Sequence, residues 1–369
     1  MRSLITLLVV LTFISASTAV AQENYWKLPM KAPNSGKYSQ WALSSAEGIN
    51  AEARKAAGTS VEKVVAVVDT GITLHPEFSE RVLPGYDFIS ELSASGDGDA
   101  RDADPTDVGA VSGNRFCDDS SEAAAPASWH GTYVAGIISA NNEDGSGISG
   151  IAPNSKILPL RASSNCSASN MDVSDAIIWA AGGDVKGVPK NVNPANVIVV
   201  AMSELEDCDP TYLEALRFAE SRGVISVLSA GNNGVDSTSS NPSNCNVGIS
   251  VGASDRKGDR AYYSNWGERV DVWAPGGDVR DTVSNGVLST INLGSEVATD
   301  YGYGYYQGTS AAAPHVAGVI SLMQAAGFSG TSKDLRTIFR QCSRKLADQS
   351  QAAVPVLDGE CAINSASLD

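Results

Sequence analysis

The strongest constraint on this chain is a series of short apolar segments rich in β-branched residues, interleaved with helical patterns. Val64–Val68, Ile157–Leu160, Val197–Met202, Val224–Leu228, Val247–Val251 and Val270–Val272 are each bounded by turn residues. Runs of this kind fit strands buried on both faces. Helices are predicted over His130–Ala140, Val173–Ala181, Pro210–Arg222, Ser310–Ala326 and Ser332–Arg344. In the third, Tyr212, Leu213, Leu216 and Ala219 form one apolar stripe, and Gly223 supplies the stop. Strand–helix alternation of this kind predicts an α/β fold, a mostly parallel sheet with helices on both faces.

A length of 369 residues has room for two domains, but no linker divides the chain and no repeat is visible, so one large domain is expected. With 43% hydrophobic and 18% charged residues, wholesale disorder is excluded. The net charge of −16 leaves no basic footprint for nucleic acid or an anionic membrane. Arg2, the apolar run from Leu4 to Ala16 and the small residues Ala19-Val20-Ala21 predict a signal peptide over 1–21, cleaved before Gln22. That run is too short to span a bilayer and no later stretch approaches ~18 apolar residues. The expectation is an exported protein, extracellular or periplasmic, with no membrane anchor.

In an exported chain, Cys117, Cys166, Cys208, Cys245, Cys342 and Cys361 point to disulfides rather than to zinc. They contain no Cys-x-x-Cys clip, none of the three His lies at ligand spacing, and six cysteines allow fifteen connectivities. Segment 91–115 reads as a long acidic surface loop. Asp97, Asp99, Asp102, Asp104 and Asp107 crowd it, and calcium is the cation such carboxylates would take.

Four positions carry chemistry. In a parallel sheet, ligands gather at the carboxyl ends of the strands. Asp69 closes the run VVAVVD there. His130 opens a helical pattern beside Gly131, which lets another backbone come close. Ser310 heads a helix, whose N–H groups and dipole favour a developing oxyanion. Asn232 or Asn233, just after the strand Val224–Leu228, could donate a side-chain amide to that oxyanion. The order Asp, His, Ser is not the Ser, Asp, His of α/β-hydrolases, and Ala311-Ala312 after Ser310 leaves no G-x-S-x-G elbow. A lipase or esterase of that class is excluded.

In sequence the chain resembles the subtilisin-like serine peptidases, the subtilases, particularly the secreted bacterial ones. The similarity runs from about Trp41 to Cys361. It is carried by VVAVVDTGITLHPEF at 64–78, SWHGTYVAG at 128–136, SAGNNG at 229–234 and GTSAAAPHVAG at 308–318. The resemblance implies a three-layer subtilisin-like domain over 41–369, preceded by a short N-terminal arm at 22–40. It implies endopeptidase action on polypeptides through an acyl-enzyme, with no cofactor required and a monomer expected. Asp69, His130 and Ser310 would be the triad, and Asn232, directly after the Ala-Gly of the motif, the oxyanion donor. Substrate would lie along Ser203, Glu204 and Leu205 and against Ala230 and Gly231. The bridges would be Cys117–Cys166, Cys208–Cys245 and Cys342–Cys361.

The chain also departs from the family pattern. Tyr133 stands where a second His is usual, Ala311 replaces Met, and Ser203-Glu204-Leu205 replaces Ser-Leu-Gly. The stretch between Ala21 and the catalytic region is short beside the family's folding-assistant propeptide. His75 and His315 match motif positions with packing roles. Broad specificity is expected, with at most a mild basic bias from Glu204. The rival reading is a catalytically degenerate scaffold on the same fold. It is disfavoured because all four chemical positions keep the necessary side chains.

Overall fold

The computed structural model describes residues 38–51, 62–110, 127–141, 145–164, 168–346 and 353–366. The predicted signal peptide, most of the N-terminal arm, and Cys117 and Cys166 lie outside the described residues. Strands are β1 (Val64–Asp69), β2 (Tyr86–Asp87), β3 (Lys156–Arg161), β4 (Val197–Val200), β5 (Glu204–Leu205), β6 (Ile225–Ser229) and β7 (Ser240–Asn241). They continue with β8 (Ile249–Ser254), β9 (Val272–Pro275), β10 (Val287–Asn292), β11 (Tyr301–Tyr306), β12 (Ser343–Arg344) and β13 (Val356–Leu357). Helices are α1 (Leu92–Ser95), α2 (His130–Ser139), α3 (Asn170–Ala180), α4 (Pro210–Ser221), α5 (Thr309–Ala325), α6 (Ser332–Gln341) and α7 (Gly359–Ser365).

Among the described residues, one nine-stranded sheet has the order β12-β13-β9-β8-β6-β4-β1-β3-β2. Every neighbour pair is parallel except β12–β13. Period-two alternation explains why the strands are apolar throughout. Val65, Val67, Val197 and Val199 join one core, while Ala66, Val68, Ile198 and Val200 join the other. Each fully buried Val or Ile contributes about 1.5–3 kcal/mol relative to exposure.

The first core is closed by α2 and α5 through Val134, Ile137, Val316 and Ile320. The second is closed by α3 and α4 through Val173, Ile177, Tyr212 and Leu216. Helix α5 is buried almost all round, which its uniformly small and apolar sequence permits. The result is the expected three-layer α/β architecture.

After β1 the chain places β2 and β3 on one side, then returns to place β4, β6, β8 and β9 on the other. The strand order therefore reverses between β1 and β4, and the crevice at their carboxyl ends is where an open α/β sheet binds ligands. Asp69 ends β1 at that crevice.

Two features differ from the sequence reading. The hairpin β10–β11, in register Val287↔Tyr306, was not expected, because YGYGYY alternates Gly with Tyr and lacks a β-branched run. The acidic segment is not all surface: it contains α1, and Asp107 is buried.

Candidate active site

Asp69 is buried at the end of β1, and His130 is the first residue of α2. His130 Nδ1 lies 2.8 and 2.9 Å from the two oxygens of the Asp69 carboxylate. Asp69 Oδ1 also accepts the Thr70 N–H at 2.8 Å. The chain reaches His130 through Trp129, whose φ of 53° is unusual for a bulky residue. Its ring is buried and its indole N–H donates to the Gly294 carbonyl at 2.7 Å, which holds that turn in place. Gly131 is required by close approach. A β-carbon there would fall 2.0 Å from the Gly71 carbonyl oxygen and 3.3 Å from Asp69 Cβ. Burial pulls the His130 pKa down, but the charge of Asp69 and its hydrogen bond raise it more, with Asp107 adding, so the net shift is upward.

Ser310 lies in the first turn of α5, where Gly308 holds the capping position. Its hydroxyl is therefore not spent as a helix cap. A β-carbon at Gly308 would sit 2.9 Å from Ser310 Oγ and 3.6 Å from Asn232 Nδ2, so both groups face the space the missing side chain leaves. Asn232 Oδ1 accepts from the Thr309 N–H at 2.8 Å and the Thr309 hydroxyl at 2.9 Å. That pins the amide by its oxygen and leaves Nδ2 on the side of Gly308. Asn233 is engaged differently, its N–H donating to Asn265 Oδ1 at 3.0 Å. Pro314 has no N–H to bond the Ser310 carbonyl four residues back.

The residues expected to form the substrate edge lie beside Gly231, which precedes Asn232. Strand β5 pairs antiparallel with β7, Glu204 opposite Asn241 and Leu205 opposite Ser240. Glu204 is exposed and Leu205 is 53% exposed, while Ala230 is buried. A β-carbon on Gly231, whose φ is +101°, would lie 2.6 Å from Ser240 Oγ and 3.1 Å from Ser203 Oγ. Partial burial, then the neighbouring Glu206, raises the Glu204 pKa. Glu206 Oε1 accepts from Asn241 at 2.7 Å and Asn170 at 3.0 Å. Cys208 and Cys245 are bonded with an S–S distance of 2.01 Å, and Cys342 and Cys361 at 1.99 Å. The Cys117–Cys166 pairing falls outside the described residues.

The acidic loop carries the five carboxylates singled out in the sequence. Its five carboxylates do not converge on a point, and among the described residues no three His, Cys, Asp or Glu are gathered to hold an ion. Asp97 pairs with the buried Arg161, which also takes Asp87. Asp102 and Asp104 accept the backbone N–H two residues on, at 2.7 and 3.0 Å. Asp107 turns inward to Thr70 at 2.7 Å. Asp99 stays on the surface, its pKa raised by desolvation, then by Asp102 and Asp97. Short-range turns take up Asp102 and Asp104, and Arg161 supplies a counter-charge to Asp97.

Sequence reasoning missed Thr70, Thr309 and Ser240. The first two adjoin motif residues and carry hydroxyls at chain turns, a signal that was present but local. Ser240 is brought in only by the pairing of β5 with β7. Tyr133, in place of the family's second His, is buried, donates its hydroxyl to the Val287 carbonyl at 2.8 Å and stacks on Tyr306 at 4.5 Å. His75 and His315 are buried too. The first donates to the Gly302 carbonyl and the second to the Ala311 carbonyl, which are packing roles.

The sequence model of the subtilase family matches residues 61–354. An extracellular protease of Xanthomonas campestris is 37% identical over 339 residues, covering 90% of this chain and 57% of that protein. An extracellular basic protease of Dichelobacter nodosus is 38% identical over 306 residues, covering 82% and 49%. The chain thus spans about half the length of these curated relatives. Among solved structures, a protease from Pseudoalteromonas arctica superposes with a TM-score of 0.84 at 40% identity, covering 89% of this chain and 97% of that one.

Proposed function

The chain belongs to the subtilase family, and on that premise we propose that it is a secreted serine endopeptidase acting on polypeptides. The observation that carries this reading is the two-oxygen contact of Asp69 with His130 Nδ1, and it is supported by Ser310 Oγ and Asn232 Nδ2 both lying near the space at Gly308. With Nδ1–H held by Asp69, the Nε2 lone pair of His130 is left to take the Ser310 proton. Ser310 Oγ then attacks the scissile carbonyl and His130 returns the proton to the leaving amine. Asn232 Nδ2 and the Ser310 N–H hold the oxyanion, and Asp69 stabilises the imidazolium. Subtilases run this reaction without a cofactor.

Substrate adds as a strand along Ser203, Glu204 and Leu205, where main-chain bonds supply affinity and the space beside Gly231 sets preference. Export is supported by the signal-like first residues and by the names of the relatives; no described helix is long and apolar enough to cross a membrane.

The test is casein digestion by wild type beside Ser310→Ala, with a fluorophosphonate probe as second readout. Wild type is expected to digest casein and to be labelled at Ser310 alone; Ser310→Ala loses both. Digestion by Ser310→Ala at the wild-type rate sinks the reading. The pH dependence has a definite sign. The reaction needs neutral His130, whose pKa stands above its ordinary 6.5. The rate therefore rises with pH through a limb above that value, and a limb below it counts against the Asp69–His130 assignment.

A further inference from the structure

Behind the Asp69–His130 pair lies a second buried carboxylate. Asp107 is 2% exposed, and it accepts the Thr70 hydroxyl at 2.7 Å and the Gly109 N–H at 2.9 Å. Thr70 is the residue after Asp69, and each of its polar groups toward the pair is used. Its N–H holds Asp69 Oδ1 at 2.8 Å, and its hydroxyl oxygen accepts the Gly131 N–H at 3.1 Å. Gly131 follows His130 at the head of α2, where N–H groups have no partner within the helix.

A threonine hydroxyl has one proton to give and lone pairs to receive with. Asp107 takes that proton, so the lone pair is left for Gly131. Backbone bonds clamp the carboxylate's own segment onto the same turn, Ile72 N–H to the Pro105 carbonyl at 3.0 Å and Asp107 N–H to the Ile72 carbonyl at 3.1 Å. The contact is close enough that a β-carbon on Gly71 would lie 2.9 Å from the Asp107 nitrogen.

We propose that Asp107 is a positioning residue for the Asp69–His130 pair. Through Thr70 it fixes the Asp69 carboxylate and the head of α2 together, and its charge supports the imidazolium of His130. Among the described residues, the charged groups acting on this arrangement are Asp69, Asp107 and Arg161. His130 is faced by Asp69 and Asp107, and by the Tyr133 ring, which stays neutral. Asp107 is faced by Asp69, which repels it, and by Arg161, which attracts it while paired to Asp87 and Asp97. Burial pushes Asp107 up to about 6, while the Thr70 and Gly109 hydrogen bonds and Arg161 favour its charged form. A turn-stabilising aspartate would pin the loop but leave His130 unaffected.

The functional meaning rests on the peptidase reading, but the coupling is measurable without it. His75 and His315 are both pushed down to about 4, so the imidazole titrating above the ordinary 6.5 in a ring-proton NMR experiment belongs to His130. Asp107→Asn is expected to lower that titration by about 0.5 unit or more. Thr70→Val keeps the shape and the N–H to Asp69 but loses the hydroxyl. It is expected to lower kcat by about tenfold or more with KM within about twofold, and Thr70→Ser to stay within about threefold of wild type. Should Asp107→Asn fail to fold, the Val and Ser pair at position 70 decides alone. A His130 titration unmoved in Asp107→Asn, or kcat of Thr70→Val within about twofold of wild type, overturns the proposal. The Ser310→Ala comparison on casein decides the peptidase reading, and the His130 titration decides this coupling whether or not casein is cut.

Discussion

Two regions of the crevice are built on different principles. The Asp69–His130 end is interior: Asp69, Thr70 and Asp107 are each under 10% exposed and bonded to one another and to backbone. The proposed substrate edge is exterior. Strand β5 is two residues long, both exposed, held by two ladder positions, by Glu206 and Asn241, and by the Cys208–Cys245 bond. One end is rigid because burial makes any unmade polar bond expensive. The other is tied by a cross-link and short contacts around exposed side chains. On the proposed function, chemistry sits where geometry is over-determined, and preference where substitution is cheap.

The largest effect that probes this contrast is at Asn232, an exposed residue of the proposed chemical end. Asn232→Ala removes the oxyanion amide while sparing the core. It is expected to cut kcat by about 10²–10³ with little change in KM, a magnitude known from subtilisin. Steady-state kinetics on a peptide substrate checks it, and a loss confined to KM would move Asn232 from the chemical end to the binding end.

Next comes the tie of the exposed side. Replacing both Cys208 and Cys245 with Ser opens a loop closed over a sequence separation of 37. The expected cost is about 3–4 kcal/mol in the chain-entropy model, read by urea unfolding. Because the cross-link holds β5 and not Asp69 or His130, KM should rise while kcat stays within about threefold. A fall in kcat with KM unchanged would erase the distinction between the regions.

The smallest effect is at the edge itself. Glu204→Gln should change the preference for Lys over Leu at P1 by less than about tenfold, since an exposed ion pair contributes only about 0–1 kcal/mol. A peptide-library profile measures it. A preference above a hundredfold in wild type, lost in the variant, would show that the edge closes around substrate far more than its exposure suggests.

What could be read in advance follows the same division. The six β-branched runs and five helical patterns recur as β1, β3, β4, β6, β8 and β9 and as α2 to α6, with ends displaced by a few residues. Burial on both sheet faces forces that composition, so the pattern is strong. The β10–β11 hairpin escaped because its tyrosines are supported by neighbours far along the chain: Tyr303 donates to Glu77 at 2.6 Å and Tyr306 to the Ser128 carbonyl at 2.6 Å. The acidic loop was only partly legible for a related reason. Charge density in sequence suggested a cation, and the structure adds Arg161, at the end of a strand, as a counter-charge to Asp97.

The sequence by itself determined the layer architecture and singled out Asp69, His130 and Ser310, with Asn232 chosen over Asn233 by the family motif. Strand burial dictates residue type along the chain, and each chemical group sits beside glycines or threonines that its local turn needs. Tertiary structure alone decided that Asn232 Nδ2 and Ser310 Oγ face one space at Gly308, that Ser240 stands beside Ser203, and that Asp107 turns inward to Thr70. These are meetings between segments tens of residues apart. Each is set by strand order, backbone approach and the cost of leaving a buried group unpaired, none of which has a period in the sequence.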